Sequence, residues 1–120
     1  MNKIFYVILI VLPINLYATD RIFIGRYTEG FEWGYLIECG TSEKLWVERG
    51  PAALELIEAL KEDGIVFSYQ MGDKNPTVLV KLKGNLSKEG SWGHLGKYKY
   101  QLNILQYISH GTVVESECKK

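Results

Sequence analysis

The chain has 120 residues, 14 basic and 14 acidic, so its formal charge is zero with histidines neutral. That balance excludes a general electrostatic attraction to nucleic acid or acidic lipid. Lys3 is the one basic residue of the first 18, so 14 basic residues less one against 14 acidic leave the remainder at a net charge of −1.

The first 18 residues have the pattern of an export signal. Lys3 supplies a positive start, Ile4 to Leu12 form an uncharged apolar run, and Leu16, Tyr17 and Ala18 precede a cleavage point. The run is shorter than the about 20 apolar residues needed to span a bilayer, so no membrane span is expected after cleavage. No cysteine follows Ala18 directly, which argues against a lipid anchor. Cleavage leaves residues 19–120, about 100 residues, enough for one small domain and too few for two. The expected location is the periplasm or beyond it.

From Arg21 to Tyr27 the chain is rich in β-branched and aromatic residues, with Ile22 and Ile24 on one face and Phe23 and Tyr27 on the other. Thr28 to Gly30 reads as a turn. A second strand follows with Phe31, Trp33, Tyr35 and Ile37 on one face, the expected barrel wall, and Glu32, Gly34 and Glu38 opposite. Gly34 in mid-strand suggests a bulge or bend. After a polar turn, Leu45 to Glu48 form a short third strand.

Pro51, the apolar stripe Ala53, Leu56, Ile57 and Leu60, and Gly64 give the start, face and stop of one helix. The composition of Ile65 to Tyr69 allows an edge strand or a packed extended segment, and Gly72 to Pro76 make a turn. Val78, Val80, Leu82 and Leu86 alternate with Lys81, Lys83 and Asn85 in a strand with one apolar face. A polar loop from Ser87 to Gly96 carries Trp92 and His94. In the last strand Tyr98, Tyr100, Leu102 and Ile104 point inward, and the phase slips at Leu105 as a bulge would make it.

Three strands, a helix and two strands give a mainly β fold: a five-stranded, OB-fold-like Greek-key barrel with the helix between strands three and four. The run Gly25-x-Tyr27, Gly30-Phe31-Glu32, Cys39-Gly40, Leu45-Trp46-Val47, Val78 through Gly84 and Tyr100-x-Leu102-x-Ile104 resembles the C-terminal OB-fold domain of NlpE-type bacterial envelope lipoproteins. The resemblance covers nearly all of the chain after Ala18, through short and mostly structural motifs.

Both cysteines, Cys39 and Cys118, lie in the exported part, where an oxidising compartment favours a bridge; a redox-active pair and an intermolecular bridge are the alternatives. The resemblance implies a Cys39–Cys118 disulfide and an envelope location. The chain has no lipidation cysteine and no C-x-x-C motif, so the metal-related and surface-sensing roles of the whole lipoproteins are not carried over.

No catalytic or metal-binding set is expected. His94 and His110 read as exposed loop residues, fewer than the three or four clustered ligands zinc requires. Asp63 and Asp73 fall in turns and read as solvated. Ser68, Ser87, Ser91 and Ser109 lie in no nucleophile motif. The one carboxylate set to weigh for a metal-dependent hydrolase or nuclease is Glu32, Glu38 and Glu48 with Arg26 or Arg49.

Tyr27, Trp33, Tyr35, Trp46 and Tyr69 together with Lys81, Lys83, Lys97 and Lys99 have the composition of a single-strand nucleic-acid surface. Export and the charge of −1 argue against that ligand. The expected function is a non-enzymatic, cofactor-free binding module for a protein or envelope partner, with an inhibitor of a secreted toxin or hydrolase as the alternative. Its candidate binding residues are Trp92, His94, Trp33 and Tyr35.

Overall fold

The computed structural model describes residues 19–118. The expected signal segment, residues 1–18, lies outside the described residues. The elements are β1 (Arg21–Gly30), β2 (Trp33–Glu38), β3 (Lys44–Glu48), α1 (Pro51–Glu62), β4 (Val78–Leu86), β5 (Gln101–His110) and α2 (Thr112–Cys118), with a short 3₁₀ turn at His94–Gly96. The fold is mainly β, one sheet of five strands with two helices.

The sheet closes in a ring, in the order β1-β2-β3-β5-β4 and back to β1. All contacts are antiparallel except β3 with β5, which is parallel, α1 and β4 supplying the crossover that such a pairing needs. Closure gives every strand two hydrogen-bonded neighbours, so no long sheet edge is left to recruit another chain.

The interior is filled by alternate residues of the strands: Phe23 and Tyr27 of β1, Leu36 of β2, Leu45 and Val47 of β3, Val78, Val80 and Leu82 of β4, and Leu102 and Ile104 of β5. Helix α1 adds Ala52, Ala53, Leu56 and Leu60. Its end is a Schellman motif, in which the Ile65 N–H donates to Leu60 O and the Gly64 N–H to Lys61 O. Gly64 has φ +77°, as that motif requires.

Three expectations about the first hairpin are corrected. Thr28 to Gly30 is strand, not turn: β1 continues to a Gly30↔Trp33 pair, and Phe31 and Glu32 make the two-residue connection. The second correction follows from that register. Cross-strand partners share a face, so pairing Tyr27 with Leu36 and Glu29 with Gly34 sends the even residues of β2 inward and Trp33, Tyr35 and Ile37 outward.

Leu36 is fully buried, Trp33, Tyr35 and Ile37 are half-buried, and Phe31 is exposed. The expected barrel wall is therefore the outer face. Thirdly, Gly34 marks no bulge. It lies in regular register, and a Cβ there would sit 3.2 Å from Glu29 Cβ, so its missing side chain makes room for Glu29.

The irregularities fall in β5, where Gly84 pairs with Ile104 and Lys83 with Gln106, leaving Leu105 as the extra residue, as the phase slip implied. A second shift leaves Ile108 extra. Ile65 to Tyr69 is a packed segment rather than an edge strand, with Phe67 buried edge-on against Tyr27, ring centroids 5.8 Å apart.

Helix α2 was not expected from the sequence. It packs Val114 into the molecule and carries Cys118, whose disulfide to Cys39 ties the end of β2 to the end of the described chain, with Cα atoms 5.3 Å apart. Among the described residues, no helix is long and apolar enough to cross a membrane.

Candidate functional site

The outward turn of β2 creates an aromatic surface. Trp33 and Tyr35 lie two residues apart on the same strand face and stack, with centroids 5.6 Å apart and planes at 27°. Lys44, at the start of β3, holds its ammonium 4.6 Å from the Tyr35 ring centroid, a cation–π contact. Trp46 leans on Tyr98 at 5.2 Å. Gly93 closes over the Trp46 ring: a Cβ there would lie 2.4 Å from it, and φ +72° is in the left-handed region, so glycine is the residue that fits.

These contacts dock the β4–β5 loop against β2 and β3. The groove between them, about 520 Å³, is lined by Trp33, Lys44, His94, Lys97, Tyr98 and Lys99, with Ser42, Glu43 and Leu95 at its sides. That volume falls in the range of small-molecule and cofactor sites. Lys44, Lys97 and Lys99 are exposed, and none takes part in an ion pair among the described residues. Burial, then the neighbouring Tyr35, raises the Tyr98 hydroxyl above the ordinary tyrosine pKa.

Of the four expected binding residues, Trp33 and His94 meet in this groove and Tyr35 lies behind Trp33 as its stacking partner. Trp92 does not join them. It is half-buried, its indole N–H donates to Lys88 O at 3.1 Å, and its backbone pairs with Tyr98, so it holds the loop together. Lys44 was not singled out from the sequence, and Tyr98, expected to point inward in the last strand, instead lies before β5 and lines the groove against Trp46. Their two-residue spacing from Trp46 and Tyr100 was visible, but which face each occupied was not.

The carboxylate set is dispersed. Glu38 makes two hydrogen bonds with Arg21, and Arg26 lies at a different groove beside Thr77. Glu32, Glu48 and Arg49 do line one cleft of about 240 Å³ with Trp46, but Arg49 is engaged by another residue, Glu29. No group of three or more His, Cys, Asp or Glu able to hold a metal is found among the described residues. The lysine strip also divides: Lys97 and Lys99 reach the groove, whereas Lys81 pairs with Glu117 of α2 at 2.9 Å.

Glu29 is the most unusual side chain in the interior. It is fully buried and accepts hydrogen bonds from the Tyr27 hydroxyl, from Tyr69 at 2.8 Å and from Arg49 at 2.7 Å. Three segments, the end of β1, the residue after β3 and the 65–77 connection, are thereby pinned at one point. Tyr27 is pushed far above the usual tyrosine range by burial and by Glu29. Tyr69 is raised to about 12, by burial first and then by its hydrogen bond to Glu29.

A second polar knot corrects the view of His110, while Asp63 stays exposed at the end of α1 as expected. His110 lies on β5 with its side chain only 11% exposed, not in a loop, and bridges Tyr107 to Asp63 at the end of α1. Burial, followed by the charges of Asp63 and Glu62, raises the Tyr107 hydroxyl above its ordinary value.

Comparison with protein-family models, with curated proteins and with solved structures finds no match to this chain.

Proposed function

We propose that the protein is an exported, non-enzymatic OB-fold module that binds a protein or envelope ligand on the outer face of β2 and β3. The fold reading is supported by the ring order β1-β2-β3-β5-β4, the helix between β3 and β4, and the parallel β3–β5 contact. In OB-folds the face of the second and third strands, flanked by the loops after strands one and four, is where ligands bind. The same strands and the β4–β5 loop form the groove here.

One observation carries the reading: Trp33 and Tyr35 stack on the outside of the ring, beside three lysines that make no ion pair among the described residues. Aromatic residues gathered in one groove on the outer face are the kind of surface that serves as an interaction site. Export is supported by the pattern of residues 1–18 and by the Cys39–Cys118 bridge, which needs an oxidising compartment to persist.

The test is capture from a bacterial envelope fraction on the immobilised, disulfide-bonded protein, beside a Trp33→Ala, Lys97→Gln double variant. A ligand retained by the wild type and released by the variant is the expected result. Equal retention by both, or none by either, refutes the assigned face. N-terminal sequencing of the exported protein should begin at Thr19.

A further inference from the structure

Resting on that binding-face reading, we infer that the groove takes an acidic glycan, a chain of pyranose rings bearing carboxylates. Three features of the groove select this chemistry together. Trp33 has one face against Tyr35, and Tyr35 is in turn capped by Lys44. Gly30 packs against the same indole, where a Cβ would lie 2.5 Å from it, and the surface of Trp33 that remains is a shelf lining the groove together with Tyr98. A pyranose ring presents an apolar C–H face that packs on such a shelf and leaves its hydroxyls at the edge.

Lys44, Lys97 and Lys99 line the groove and none is ion-paired among the described residues, a positive charge complementary to carboxylates along the chain. Glu43 and Ser42 sit on the same wall and accept hydrogen bonds from hydroxyl donors, which sugars supply at every ring.

Single-stranded nucleic acid fits less well. It needs a succession of free aromatic faces along a basic track, whereas here Trp46 is covered by Gly93 and Tyr98 and Tyr35 by Trp33 and Lys44. Glu43 in the groove, and Glu32 4.0 Å from His94 beside it, oppose any polyanion, so the number of free aromatic faces is what separates the two ligands.

The experiment titrates the disulfide-bonded protein with three probes: oligogalacturonate, the neutral galactose oligomer of equal length, and single-stranded oligothymidylate. Binding is followed by calorimetry and tryptophan fluorescence. The inference expects oligogalacturonate to bind most tightly, with affinity falling as salt rises and the neutral oligomer weaker by about tenfold. Trp33→Ala and a Lys97→Gln, Lys99→Gln variant should each weaken binding by about tenfold or more.

Lys97 and Lys99 are exposed, so their replacement leaves folding intact even if Trp33→Ala does not. Lys83→Gln, exposed on β4 away from the groove, should change nothing. Tighter binding of oligothymidylate, equal binding of neutral and acidic oligomers, or oligogalacturonate binding untouched by the groove variants overturns the glycan assignment while leaving the binding-face reading to the envelope capture. Absence of binding by all three probes also overturns it. Failure of that capture as well removes both.

Discussion

Replacing Glu29 with alanine withdraws the acceptor shared by Tyr27, Tyr69 and Arg49. The cost divides by exposure. The Arg49 side chain is 55% exposed and Tyr69 45%, so both rehydrate when released and only their net bond energies are lost. Tyr27 is 2% exposed, so its hydroxyl stays in the interior without a partner, at about 1–3 kcal/mol. With the charged bond from Arg49, the total is about 3–5 kcal/mol.

That is a large part of the about 5–15 kcal/mol that holds a domain together. Glu29→Gln should cost less, about 1–2 kcal/mol, because the amide oxygen still accepts from Arg49 while the amide N–H donates to the Tyr27 hydroxyl, which can accept. Urea unfolding followed by tryptophan fluorescence reads both, and the alanine variant should lower the midpoint by about 2–3 M. An alanine variant within about 1 kcal/mol of wild type, or a glutamine variant as damaged as alanine, would refute the account of Glu29 as a buried pin.

The tyrosines around Glu29 give a pH prediction. Tyr69 is raised in the folded protein to about 12 from an ordinary value of 10.0, and Tyr27 is raised further. The unfolded chain therefore loses these protons first, and the stability they contribute is complete below pH about 10 and is lost as pH rises towards 12. Tyrosinate absorbance should show late-ionising groups, and Tyr69→Phe should remove one of them; titration of every tyrosine at its ordinary value would contradict the geometry. The disulfide closes a loop with a sequence separation of 79 residues, worth about 4.5 kcal/mol in the chain-entropy account. A Cys39→Ser, Cys118→Ser variant should lose most of its unfolding free energy by urea titration, and a loss below about 1 kcal/mol would show that the bridge is incidental to folding.

The strands, the helix and the bulge at Leu105 were legible because each is written in a local period. Val78, Val80 and Leu82 repeat every second residue, Ala53, Leu56 and Leu60 every third or fourth, and the break at Leu105 interrupts the first kind of repeat. Pro51 and Gly64 bound α1 for equally local reasons. The face of β2 was not legible. Apolar residues stand on both sides of that strand, at Trp33, Tyr35 and Ile37 and again at Leu36, so alternation alone does not say which side is the core.

Cross-strand register decides it. Tyr27 paired with Leu36 puts the small aliphatic residue inside and turns the large aromatics out. The same register buries Glu29, which in sequence sits in a threonine-glutamate-glycine run with the composition of a turn; its donors stand 2, 20 and 40 residues away.

The sequence alone determined a mainly β chain with one amphipathic helix, two cysteines suited to an oxidising compartment and an apolar leader-like start, because these depend on composition and short periods. Tertiary structure decided that the two cysteines meet within one chain, which aromatics are core and which are surface, and that Lys44, Lys97 and Lys99 line one groove with Trp33. Those facts arise from pairing between distant segments, and the free energy of such pairing belongs to the closed ring rather than to any one stretch of the chain.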